Sequence, residues 1–187
     1  MKHNFTLVTG LWDLGRGDLD DFKRPFKTYL DRFEELLTLD YNMYIHVPSS
    51  LEDFVRERRS SINTRIKVLD LPHFKNSFQF FDDVTKIRRT PEWYNQTGEG
   101  GWLSKSPQAR LEYYNPILMS RFFLLHDATI DNPFNTKYFF TIDGGLTSTV
   151  GLDQLKNLSR IEGYMADIGN KFLYLSFPRS EEHTSEL

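Results

Sequence analysis

The chain has 187 residues, 39% of them hydrophobic and 15% aromatic, enough for one compact domain that buries on the order of 70% of its unfolded surface. Its formal net charge of -3 and pI near 6.0 give no general electrostatic reason to bind a polyanion, so nucleic acid is not an expected partner. Cysteine is absent, which removes disulfides, thiolate zinc sites and cysteine nucleophiles together and agrees with a reducing compartment.

The apolar run from Phe5 to Val8 is too brief for a signal-peptide core or a membrane span. The expected location is the cytoplasm, with no transmembrane segment and only peripheral membrane contact left open. Residues Asn4 to Thr9 form a β-rich run that stops at Gly10, and Gly15-Arg16-Gly17 follows closely, so a strand ends in a glycine-bearing loop. From about Asp20 to Leu39, Phe22, Phe26, Tyr29, Leu30, Phe33, Leu36 and Leu37 recur at helical spacing with charges between them. Tyr41 to Val47 reads as a second strand. Ser49 or Ser50 opens a helix through Arg58, and Thr64 to Leu71 reads as a third strand.

The middle is less regular. Phe74 to Asp82 is aromatic, Asp82-Asp83 marks a helix start, and Val84 to Gln96 reads as one helix despite Pro91. Gly98 to Pro107 reads as a flexible loop around Trp102. Ser106 and Pro107 supply an N-cap and first-turn proline for a helix reaching His126, which Pro116 should break or kink. Lys137 to Ile142 is a strongly apolar strand ending at Asp143-Gly144-Gly145. Strands alternating with helices predict an α/β sheet, Rossmann-like and mainly parallel, with helices on both faces and ligands beyond the carboxyl ends of its strands. The last nine residues, Arg179 to Leu187, read as the translated start of a sequencing-library adapter. The expected domain therefore spans residues 1–178 and is incomplete at its C-terminus.

Two segments are recognisable as a pair: Thr6-Leu-Val-Thr-Gly-Leu-Trp-Asp-Leu-Gly-Arg16 and Tyr138-Phe-Phe-Thr-Ile-Asp-Gly-Gly-Leu146. With Tyr114-Asn-Pro-Ile-Leu-Met-Ser-Arg-Phe122 between them, the chain resembles the bacterial HtrL/YibB family, also described as WlaTC/HtrL-type glycosyltransferases. The resemblance implies a GT-A-like nucleotide-sugar-binding fold. It also implies transfer of a sugar from a nucleotide-sugar donor to a glycan acceptor in lipopolysaccharide or other surface-glycan biosynthesis.

Asp143 carries most of that expectation. In GT-A enzymes a short acidic motif, usually Asp-x-Asp, holds Mn²⁺ or Mg²⁺ against the donor's phosphates. Gly145 stands here where the second carboxylate would be, so the resemblance implies Asp143 as metal ligand and Asp143, Gly144 and Gly145 as donor contacts. Read alone, Asp-Gly is an ordinary turn signal. In the opening loop, Thr9, Gly10, Asp13 and Arg16 offer backbone N–H groups and a guanidinium for phosphate or nucleotide. The alternative there is a solvated turn with an Asp13–Arg16 ion pair, since the spacing fits neither a P-loop nor a GxGxxG fingerprint.

Arg121 is a further donor-site candidate, although with Ser120 it is read near a helix end, where a cation also complements the helix dipole. Trp93 and Trp102, near Gly98, Gly100 and Gly101, are acceptor-site candidates because aromatic faces stack on sugars; core packing is the alternative. Arg56, Arg58 and Arg59 read as a solvated helix face, and His46, His73 and His126 as structural. No catalytic base is selected: Asp153 and Asp167 lie downstream without distinguishing spacing. The contrasting function is a non-catalytic sugar- or nucleotide-binding protein on the same fold.

Overall fold

Four parallel strands carry the fold in a computed structural model that describes residues 3–161 and Gly163. The adapter-like residues 179–187 and Asp167 lie outside the described residues. Strand β1 is Phe5–Gly10 and β2 is Asn42–Val47; both are buried almost throughout, as expected of strands covered on two faces. At the margin, β3 (Thr64–Val68) has exposed Arg65 and Lys67, charges that blunt an unpaired sheet edge. Strand β4 (Tyr138–Thr141) pairs with the other side of β1, giving the order β3-β2-β1-β4 with every pairing parallel. The expected Rossmann-like α/β architecture is thus present.

Helix α1 (Phe26–Leu37) begins later than its apolar periodicity suggests. Pro25 holds an extended backbone before it, Phe22 takes a positive φ of 58°, and the Arg24 N–H closes onto the Arg16 carbonyl at 3.3 Å, so residues 20–25 form a loop. After a 3₁₀ turn at Ser49–Leu51 comes α2 (Glu52–Arg56). Beyond β3 the chain makes α3 (Leu71–Ser77), α4 (Phe81–Arg88) and α5 (Pro91–Tyr94). The helix expected from Val84 to Gln96 is split because the Thr90 hydroxyl accepts the Trp93 N–H at 3.3 Å, starting a new turn with Pro91 first.

Short helices α6 (Trp102–Lys105) and α7 (Pro107–Arg110) replace the expected loop, with Ser106 capping α7. The long helix is α8 (Tyr114–Asp131). Pro116 is its third residue, inside the first turn, where a missing N–H removes no intrahelical bond; it starts the helix rather than kinking it. A last short helix, α9, spans Leu152–Leu155.

The helices divide between the two sheet faces. Phe33, Leu36 and Leu37 of α1 pack with Phe5, Leu7, Met43 and Ile45 on one face, while Leu125 and Ala128 of α8 cover Val8 and Tyr44 on the other. The aromatic stretch after β3 forms a separate cluster, in which Phe74, Phe78 and Phe81 pack with Trp12 and Ile117.

One basic residue departs from the solvated reading. Arg56 and Arg58 pair with Glu52 and Glu34 at the surface, but Arg59 is half-buried and donates to the carbonyls of Leu37, Leu39 and Tyr41 at 2.8, 2.6 and 2.7 Å. It satisfies the Leu37 and Tyr41 carbonyls where α1 ends and β2 begins, and adds a second donor to the Leu39 carbonyl, which also accepts the Tyr41 N–H at 3.0 Å. Burial lowers its pKa to about 10, opposed by the charge of Asp40, and it stays protonated. No helix among the described residues is long and apolar enough to cross a membrane.

Candidate functional site

Strand β1 is the centre of the sheet, and its two neighbours are reached by chain running over opposite faces: α1 leads to β2, and α8 leads to β4. Connections that leave in opposite directions open a crevice beyond the carboxyl ends of the strands. A cleft of about 710 Å³ lies there, with Tyr29 and Arg32 of α1 on one wall and Ile117 and Arg121 of α8 on the other. All eight donor-site candidates, Thr9, Gly10, Asp13, Arg16, Arg121, Asp143, Gly144 and Gly145, line this one cleft.

The strand ends approach so closely that two of these positions require glycine. A Cβ on Gly144 would stand 2.6 Å from the Gly10 carbonyl oxygen. One on Gly10 would stand 2.7 Å from both the His46 carbonyl oxygen and the Trp12 ring. Both glycines therefore act by letting β1, β2 and β4 converge, which brings the loops after β1 and β4 to the same rim.

At that rim Asp143 is fully engaged. Its Oδ1 accepts the Gly145 N–H at 2.8 Å, closing a turn, and its Oδ2 accepts from Arg121. The turn expected from Asp-Gly is present, and Asp143 also lines the cleft. Arg121 lies ten residues before the end of α8, so the helix dipole, whose effect fades within the last turn, does not account for it. Its guanidinium reaches the β4 end directly. Ser120, by contrast, is buried and donates to the Ile117 carbonyl at 2.9 Å.

The opening loop resolves in the same way. Asp13 Oδ1 accepts the Gly15 N–H at 3.0 Å, and Gly15 adopts a left-handed φ of 79°. Arg16 does not pair with Asp13. Its Nε donates to the Phe22 carbonyl at 3.0 Å and its Nη1 to the Tyr29 hydroxyl at 2.7 Å, so neutral oxygens hold the guanidinium in the cleft wall.

The floor holds a residue that the sequence marks only as structural. His46 is 2% exposed and lines the cleft. Burial lowers its pKa to about 4 against the raising effect of a hydrogen bond with the Thr9 backbone, so the ring is neutral at pH 7. Its Nδ1 and the Thr9 Oγ1 are both buried without a hydrogen-bond partner among the described residues. Trp12, Arg24, Tyr29 and Arg32 also face the cleft. Trp12 stands inside the Thr6–Arg16 segment that carries the resemblance, whereas Arg24, Tyr29 and Arg32 stand in no motif that would have singled them out. The tertiary fold alone assembles them.

Other candidates stay apart. Trp93 is half-buried in α5 and Trp102 is 58% exposed in α6, and neither lines the cleft. His73 and His126 are exposed. Among the described residues no group of three or more histidine, aspartate or glutamate side chains is placed to hold a metal ion.

A family model described as "Bacterial protein of unknown function (HtrL_YibB)" matches residues 3–155. No curated protein and no solved structure matches the chain.

Proposed function

Because the chain belongs to the HtrL_YibB family and its cleft occupies the place where open parallel sheets take nucleotides, we propose that it is a glycosyltransferase of the GT-A kind. The observation that carries this reading is the convergence of the Thr9–Arg16 loop, Arg121 and the Asp143–Gly145 turn on a single 710 Å³ cleft, a volume suited to a small-molecule donor. In the proposed reaction a hydroxyl of a surface glycan or lipopolysaccharide-type acceptor attacks the anomeric carbon of a nucleotide-sugar. The bond from that carbon to the diphosphate oxygen breaks, and the nucleoside diphosphate leaves. Arg16 and Arg121 face the charge that develops on the leaving phosphates, while the neutral floor at Thr9 and His46 offers hydrogen bonds to uncharged parts of the donor.

The divalent cation implied by the resemblance meets an unsuitable donor set. Among the described residues Asp143 is the only carboxylate at the β4 end, each of its oxygens already accepts a hydrogen bond, and Arg121 lies against it. A hard dication needs several oxygen ligands and is repelled by adjacent guanidinium groups. No step is therefore assigned to a metal.

A binding-only reading has one observation in its favour. Among the described residues the two carboxylates that line the cleft, Asp13 and Asp143, each hold a backbone turn through Oδ1, and no other described carboxylate lines it to act as a general base. Incubating the chain with uridine, guanosine, adenosine and cytidine diphosphate-sugars and measuring nucleoside diphosphate release separates the two. Release that rises with a glycan acceptor supports transfer, and donor binding without release supports the module. No stabilisation of the fold by any donor at millimolar concentration rules out both.

A further inference from the structure

We propose that the cleft takes the diphosphate of its ligand on arginine side chains, without a divalent cation. This rests on the reading of the cleft as a nucleoside diphosphate site and specifies how that site neutralises its ligand. Among the described residues four arginines line it, Arg16, Arg24, Arg32 and Arg121, against two aspartates. The imbalance is sharper than the numbers, because the partners differ. Arg32 pairs with Glu35 at 3.0 Å and Arg121 with Asp143. Arg16 is held by the Phe22 carbonyl and the Tyr29 hydroxyl, and Arg24 lies over the Tyr29 ring at 5.5 Å. Among the described residues the partners of both are neutral, so no carboxylate there offsets their charge by an ion pair on the α1 side of the cleft.

The arrangement around Tyr29 explains how two like charges are kept at one place. The phenol oxygen accepts from Arg16 while the ring face attracts Arg24, so one side chain positions both guanidinium groups through its lone pair and its π surface. A sugar diphosphate carries two negative charges spread over oxygens that match the guanidinium fork. Across the cleft, Arg121 retains donor N–H groups beyond the one given to Asp143, because a guanidinium has five. The two aspartates, in contrast, spend Oδ1 on their own turns, at Gly15 and Gly145.

A metal bridge and an arginine clamp predict opposite signs for one substitution. If Asp143 is a metal ligand, Asp143→Asn weakens nucleotide binding. If the arginines carry the diphosphate, Asp143→Asn removes a carboxylate beside the phosphates and releases Arg121, so binding tightens on the order of threefold to tenfold. A gain of affinity cannot come from misfolding.

The test is calorimetric titration of the full chain with uridine diphosphate, guanosine diphosphate and inorganic pyrophosphate, in EDTA and in Mn²⁺. The expected result is binding of at least one nucleoside diphosphate in EDTA, within about twofold of its value in Mn²⁺ and weakening as salt rises. Arg16→Gln and Arg24→Gln, introduced together, should weaken it at least tenfold, in keeping with the loss of charge-assisted hydrogen bonds. Binding that requires Mn²⁺, or that Asp143→Asn abolishes, overturns the arginine clamp while leaving the donor-site reading intact. Absence of binding in both buffers overturns the two together.

Discussion

Replacing Arg59 by Met keeps most of an apolar stem and removes a guanidinium that joins the end of α1 to the start of β2. Three carbonyls, those of Leu37, Leu39 and Tyr41, lose donors at 2.8, 2.6 and 2.7 Å, and the Thr64 hydroxyl loses one at 2.8 Å. An unsatisfied buried acceptor costs about 1–3 kcal/mol. The Leu39 carbonyl keeps the Tyr41 N–H at 3.0 Å, so the carbonyls of Leu37 and Tyr41 are the ones left without a donor. Because Arg59 is only half-buried, water reaches part of the site and the low end applies, about 1 kcal/mol for each and about 2 kcal/mol in all. With a urea dependence of about 1–3 kcal/mol per molar, the unfolding midpoint should fall by roughly 0.7–2 M. Tryptophan fluorescence follows the transition, and Arg56→Met is the control. Arg56 makes a surface pair with Glu52, its Nε donating at 3.0 Å, and should lose less than about 1 kcal/mol. Equal losses in the two variants would refute the assignment of Arg59 to the α1–β2 junction.

Two further outcomes follow from the cleft. Gly144→Ala places a Cβ 2.6 Å from the Gly10 carbonyl oxygen and 3.3 Å from the Phe33 ring, so the β1 and β4 ends must separate, at about 1–3 kcal/mol of stability; an unchanged thermal midpoint would show that the strand ends are looser than described. His46, with a folded pKa of about 4 against an ordinary 6.5, binds its proton more readily in the unfolded chain. Its contribution to stability is complete above pH 6.5 and is lost as pH falls toward 4, amounting to about 3 kcal/mol. Urea unfolding between pH 7 and pH 4 should show this slope and His46→Gln should flatten it; identical slopes in the two proteins would place His46 in contact with water.

The strands were legible in the sequence because burial on both faces demands near-continuous apolar runs, and those runs lie within a residue or two of β1, β2 and β4. Helix boundaries were less so. Periodicity sees which residues face the core, but Pro25, Thr90 and Pro116 decide where each helix starts, and the effect of a proline depends on its place in the first turn. The same limit applies to side chains. Arg56, Arg58 and Arg59 are indistinguishable in a charged run, yet Arg59 reaches three carbonyls of the α1–β2 junction while Arg58 reaches the Phe54 carbonyl in α2 and Arg56 pairs with Glu52.

For the cleft, the chain's own order supplied the two loops that follow apolar strands and end in glycine, since backbone that leaves a buried strand must turn at the sheet's edge. The sequence by itself determined that Asp143 and the Thr9–Arg16 loop lie at strand ends. Only the tertiary structure decided that these ends adjoin, because β4 pairs with β1 across more than a hundred intervening residues. It also decided which charges remain unpaired there. Arg16 and Arg121 look alike in the sequence, and it is packing against Tyr29 in one case and Asp143 in the other that leaves the first, among the described residues, with neutral partners and the second in an ion pair.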